Sequence, residues 1–90
     1  MPGVSSRLNA SQNPQSVAAE LVVAANSSRI YAEVKNADSA INMYIGVDAN
    51  LTTANGHLLA PGEAFGFEDY VGPVWCIAAS GTPNLTIIEY

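Results

Sequence analysis

The stretch Arg29-Ile30-Tyr31-Ala32-Glu33-Val34-Lys35 alternates charged or aromatic side chains with aliphatic ones at every step. Successive side chains of a strand point to opposite faces, so Ile30, Ala32 and Val34 are expected in a core and Arg29, Tyr31, Glu33 and Lys35 outside it. Turn-forming residues bound the stretch, Asn26-Ser27-Ser28 before it and Asn36-Ala37-Asp38-Ser39 after it. One half-buried strand closed by two turns is therefore the local reading, and it sets the scale for the rest of the chain.

Working outward, similar clusters recur every few residues: Asp48-Ala49-Asn50, Asn55-Gly56, Pro61-Gly62, Gly72-Pro73 and Ser80-Gly81-Thr82-Pro83-Asn84. Between the breaks lie residues 20–25, 29–35, 42–47, 56–59, 64–68, 74–79 and 85–90, several of them rich in β-branched or aromatic side chains. Residues 16–25 also contain good helix formers, but Val22 and Val23 favour strand. The spacing predicts an all-β fold, a small antiparallel β-sandwich or barrel of about seven strands. Residues 1–16, rich in Ser, Asn, Gln and Pro, read as an extended N-terminal arm, mobile in isolation, and residues 17–90 as the β-sandwich domain.

Alternation places Met43, Ile45 and Val47 inside with Asn42, Tyr44 and Gly46 outside, and Phe65 and Phe67 inside with Ala64, Gly66 and Glu68 outside. Two strands do not sort this way. Trp75 and Ile77 lie opposite Val74 and Cys76, and Ile88 and Tyr90 lie opposite Leu85 and Ile87, so both faces are apolar. Such strands either lie at a sheet crossover or have their outer face covered by something else. Tyr31, Tyr44, Trp75, Ile77, Ile88 and Tyr90 are accordingly the candidate residues of a protein interface, since tyrosine and tryptophan are enriched in binding hot spots.

Composition supports burial in a larger object. The chain has 90 residues, of which 12% are charged and 49% hydrophobic, with three basic residues against eight acidic ones and a net charge of -5. A domain this small is marginal unless disulfides, metal or partner subunits stabilise it. One cysteine and one histidine build neither an internal disulfide nor a four-ligand zinc site. Partners remain. The acidic balance gives no electrostatic footprint for nucleic acid. No apolar run approaches the roughly 18 residues of a membrane helix, and the opening residues do not read as a signal peptide. No nucleic-acid or membrane partner is expected.

Chemistry is equally sparse. His57, beside the Asn55-Gly56 turn, has no second histidine with it, and no grouping of nucleophile, base and orienting residue is legible. No catalytic residue, cofactor or metal is expected, and the chain is read as not an enzyme. Cys76, inside an apolar strand, is expected to be a buried, inert thiol. Glu63, Glu68 and Asp69 around the Phe65 strand, and Asp48 with Asn50 in a turn, admit a calcium reading, against which stands the simpler one of a solvated rim and an Asx turn. The Asn-x-Ser/Thr triplets at Asn9, Asn26, Asn50 and Asn84 fall in turns and are explained by turn chemistry.

Several local patterns occur in a fixed order: Ala25-Asn26-Ser27-Ser28-Arg29, Val34-Lys35-Asn36, Asn42-Met43-Tyr44-Ile45-Gly46, Leu59-Ala60-Pro61-Gly62-Glu63, Asp69-Tyr70-Val71-Gly72-Pro73-Val74-Trp75 and Ile87-Ile88-Glu89. With them the chain from Ala24 to Tyr90 resembles a small β-sandwich domain of tailed-bacteriophage virions, found in structural proteins and in some head-decoration, or cement, proteins. The resemblance implies a virion structural protein made in the host cytoplasm. It would be a homo-oligomer, with a trimer favoured, bound to the major capsid protein or another virion protein and stabilising the capsid across subunit junctions. A carbohydrate-binding module of a head or tail fibre, stacking sugars on Trp75 and a tyrosine, and a small tail or neck connector are the alternatives.

Overall fold

The computed structural model describes residues 9–90, with side chains from Ala10 onward. Among these residues there are eight strands and no helix: β1 (Asn9–Pro14), β2 (Glu20–Val23), β3 (Tyr31–Asn36), β4 (Met43–Gly46), β5 (His57–Leu59), β6 (Ala64–Glu68), β7 (Val74–Ala78) and β8 (Asn84–Glu89). They form two four-stranded sheets, ordered β1-β8-β3-β6 and β2-β7-β4-β5, and every pairing is antiparallel. The expected all-β sandwich is the fold.

Its core is the sum of the inward positions. The first sheet supplies Val34, Leu85 and Ile87, the second Val23, Met43, Ile45, Leu59, Val74, Cys76 and Ala78. Register explains the membership: Val34 faces Ile87, Met43 faces Ala78 and Leu59, and Ile45 faces Cys76, so aliphatic side chains meet across each ladder.

Several positions differ from the alternation. Ile30, expected inside, is 52% exposed, and Arg29, expected outside, is 4% exposed. β3 begins only at Tyr31, and the two residues before it belong to the turn, where period-two logic does not hold. Val47 is exposed because β4 ends at Gly46. Phe65 is on the inward side of β6 but remains partly exposed, because β6 is an edge strand and the sandwich opens beside it.

The eighth strand comes from the segment read as an arm. Residues 1–8 of that arm lie outside the described residues, whereas Asn9–Pro14 pair with β8 from Asn9↔Glu89 to Pro14↔Asn84. A polar edge strand needs only backbone hydrogen bonds, so hydrophobic patterning does not announce it. The chain then turns inward at Gln15, which is buried and whose N–H donates to Pro83 O at 2.8 Å.

Short turns set the remaining geometry. Pro61 and Gly62 sit at the centre of a turn closed by Glu63 N–H donating to Ala60 O at 2.9 Å, and Gly62 takes the positive φ of 81° that the second central position requires. Asp38 Oδ2 accepts from the N–H groups of Ala40 and Ile41, and those bonds hold its carboxyl below the ordinary carboxylate range.

Candidate functional site

The two outer faces of the sandwich carry the six candidate interface residues, and they divide them. Tyr44, Trp75 and Ile77 belong to the sheet β2-β7-β4-β5; Tyr31, Ile88 and Tyr90 belong with β3 and β8 in the other sheet. The two apolar strands β7 and β8 are close in sequence but lie in different sheets, so their outer sides point in opposite directions. The six residues do not form one surface.

On the first face, Tyr44 is in register with Ile77 and with Leu58, and Trp75 with Leu21 and Gly46. Ile77 is almost closed off at 8% exposure, so it adds little accessible surface. Two residues that alternation did not single out contribute more: Leu21 at 50% exposure and Leu58 at 44%. Leu21 faces outward because the ladder is irregular between Leu21 and Val23; Leu21 pairs with Trp75 while Val23 pairs with Val74, which turns Val23 into the core. None of these paired positions on this face carries a carboxylate, lysine, arginine or histidine. Leu51, from the loop after β4, folds back over Gly46 and Gly56, where a Cβ atom would collide with it at 2.8 and 2.6 Å.

The opposite face is mixed. Tyr31 and Tyr90 pack with ring centroids 5.6 Å apart at 36°. The Tyr31 hydroxyl donates to Glu33 Oε2 at 3.0 Å, and that bond, with burial and nearby carboxylates, raises the phenol pKa. Ile88, Lys35, Thr86 and Glu68 share this side through the β3-β8 and β3-β6 registers. A cavity of about 260 Å³ lies at its end, lined by Ile30, Tyr31, Glu68, Asp69 and Tyr90. Asp69 there adopts a left-handed φ of 57°.

Residues considered for chemistry have local duties. His57 is exposed and meets Phe65 edge-on at 4.9 Å, and Phe65, Phe67 and Tyr70 continue as a ladder of tilted rings. Cys76 is fully buried with its sulfur 3.7 Å from Met43 Sδ, and burial pushes the thiol up to about 12. Glu63 Oε1 accepts from Ala60 N–H, and Asp48 Oδ1 accepts from Asn50 N–H, so both carboxylates serve turns. Among the described residues no group of three or more His, Cys, Asp or Glu could hold a metal ion.

The most connected polar residue is one that alternation put on the surface. Arg29 donates through Nη1 to Ala24 O, through Nε and Nη2 to Tyr70 O and through Nη2 to Gly72 O, pairs with Glu89 at 3.4 Å, and has its guanidinium carbon 5.9 Å from the Tyr70 ring centroid. It ties the segment after β2 and the β6–β7 connection to the end of β8, closing one end of the sandwich. The signal available in sequence was slight: one arginine after an Asn-Ser-Ser turn in a chain with three basic residues.

No protein-family model and no curated protein matches the chain. Solved structures similar to it include these two. One is the stem and receptor-binding domain of the spike protein P1 from bacteriophage PM2, at 22% identity and a TM-score of 0.63, covering 82% of this chain and 29% of the spike chain. The other is from Bacillus endospore appendages, a family of disulfide-linked pili, at 16% identity and a TM-score of 0.57, covering 92% of this chain and 83% of the appendage chain. The present chain thus spans less than a third of the spike chain, and at these identities the likeness shows a shared β-sandwich fold.

Proposed function

We propose that this chain is a non-enzymatic structural subunit of a virion, a head-decoration protein that binds across capsid subunit junctions and stabilises the shell by added contact area. The observation that carries it is the face Leu21, Tyr44, Trp75 and Leu58, apolar across all four strands of its sheet and free of charged side chains at its paired positions. A chain of net charge -5 that keeps one face uncharged has somewhere to put it. Binding only to the assembled shell stabilises that shell by mass action and requires no reaction. Cys76 is fully buried, so attachment does not run through a disulfide at this residue. The spike and appendage neighbours belong to surface assemblies, which is in keeping with this use of the fold.

The test is to add purified protein to particles lacking it and to measure occupancy and the temperature of genome release. Occupancy should raise that temperature, and Leu21→Asp or Leu58→Asp should cut binding by about tenfold or more, the cost of burying a charge in an apolar contact. Full binding by both variants would sink the assignment of this face.

One feature favours a second reading, a glycan-binding module. The cavity beside the Tyr31–Tyr90 pair is lined by the exposed carboxylates Glu68 and Asp69, a combination of aromatic platform and acceptors that suits a sugar ring. Glycan-array binding abolished by Tyr90→Ala, with no particle association, would decide for it.

A further inference from the structure

The two sheets have four edge strands, β1, β6, β2 and β5, and three of them carry a feature that discourages pairing. β1 ends in Pro14, β2 is interrupted between Leu21 and Val23, and β5 has three residues. β6, Ala64-Phe65-Gly66-Phe67-Glu68, has no proline, no bulge and no lysine.

Its free backbone groups can be identified. Asn36 N–H donates to Glu63 O and Asp69 N–H donates to Ile30 O, so hydrogen-bonded pairs fall at 36–63 and 30–69 and, at two-residue steps between them, at 34–65 and 32–67. Phe65 and Phe67 therefore spend their N–H and C=O groups on β3. Ala64, Gly66 and Glu68 point theirs outward, and no described strand pairs with them. On the inner side the same edge opens onto an apolar slot of about 140 Å³ lined by Ile45, Gly46, Val47, His57, Phe65 and Phe67.

We propose that β6 pairs antiparallel with β6 of a second copy, on a two-fold axis through Gly66, joining two β1-β8-β3-β6 sheets into one continuous sheet. This register uses every outward N–H and C=O: Ala64 meets Glu68 of the second copy, Gly66 meets Gly66, and Glu68 meets Ala64. A slip of two residues either way leaves an outward residue of each β6 without a strand partner in the other. On the inner side Phe65 falls directly beside Phe67 of the second copy at a non-hydrogen-bonded position, where cross-strand side chains are closest. The two slots become neighbours, and their rings cover each other.

Charge argues for a second copy through one complementary pair on each side of the axis, set against Glu63 of one copy and Asp69 of the other, which flank the strand and fall opposite each other. Lys35 is in register with Ala64, so Glu68 of the second copy lies two strand spacings away, about 10 Å between Cα atoms, with only the Ala64 methyl between. Lys35 makes no ion pair among the described residues, and the two-fold supplies it with one on each side of the axis. Glu33 lies in the row through Gly66, three strand spacings from its symmetry mate, about 14 Å, beyond the screening length at physiological salt. The Tyr31 ring already lies over Gly66 on the outer face, which leaves the edge itself unobstructed.

Sedimentation equilibrium of the full chain at micromolar to hundred-micromolar concentration, with charge-reversed variants, tests this. The protein should be a dimer. Glu68→Lys should weaken it by about tenfold by setting two lysines together, and the double variant Lys35→Glu with Glu68→Lys should restore it. Paired cysteines in Ala64→Cys with Glu68→Cys should form interchain disulfides under mild oxidation. A monomer at all concentrations, a trimer, or a dimer indifferent to Glu68→Lys would overturn the two-fold edge, as would loss of dimer on removing residues 1–8 with no effect of Glu68→Lys, which would point to the arm as the occupant. A monomer that still binds particles would leave the decoration reading intact, so the two proposals fail separately.

Discussion

Arg29 shows how much one side chain can decide in a chain with so few charges. Its guanidinium reaches three carbonyl oxygens and a carboxylate while almost wholly buried. Removing a buried partner of this kind leaves the others desolvated and unpaired, so Arg29→Met should lower the free energy of unfolding by about 3–5 kcal/mol, read by chemical denaturation. Arg29→Lys should recover only part of that, since a lysine offers one point of charge in place of a planar fork. Asn36 is a second such residue: fully buried, it donates through Nδ2 to Ile41 O and Leu59 O at 2.8 Å and accepts Asp38 N–H at Oδ1, tying β3 to the turn after it and to β5. Asn36 opens a turn cluster, where its residue type is already explained by turn preference, and Arg29 follows one at a position that alternation puts outside. Their long-range partners, 23 residues away for Asn36 and 60 for Glu89 of the Arg29 pair, leave no mark on the local pattern.

At the level of elements, β1 and the irregularity in β2 are what periodicity missed, and for different reasons. β1 buries little and is held by its ladder to β8, so it has no hydrophobic signature. β2 has one, but the extra residue between Leu21 and Val23 breaks the parity that would reveal its faces. Removing residues 1–14 would make β8 an edge, with its own Ile88, already 37% exposed, at that edge. Such a truncate should lose roughly 2 kcal/mol or more, from several backbone hydrogen bonds at about 1 kcal/mol each net, and should aggregate on standing. Hydrogen exchange along β8 measures the loss of protection directly; unchanged protection would show that β1 contributes nothing to the ladder.

Over the whole molecule the sandwich turns two neighbouring apolar strands into two opposed faces, one without charged side chains at its paired positions and one bearing Tyr31, Tyr90, Lys35 and carboxylates. A subunit with unlike faces and one unprotected edge can make more than one kind of contact at once, which suits a lattice better than a closed pair. Net charge opposes random association of the apolar face at neutral pH. As the acidic side chains protonate toward the isoelectric point of about 4.3, that repulsion falls away. Light scattering should therefore rise within about one pH unit of that value and fall again in more alkaline buffer, and Leu21→Asp should blunt the rise. Scattering that stays flat across this range would mean the face is too small to drive association by itself.

An all-β chain of short antiparallel strands, the core-facing sides of β3 and β4, and a packed thiol at Cys76 are all legible in the sequence alone. These follow from period-two alternation and turn chemistry, which act over a few residues. That β7 and β8 belong to different sheets, that Arg29 and Asn36 are interior ties, that a polar segment forms an edge, and that β6 is left open emerges only in the folded arrangement. Those outcomes depend on strand order and on pairings between residues far apart in the chain, and nothing in a local pattern encodes which edge a strand will occupy.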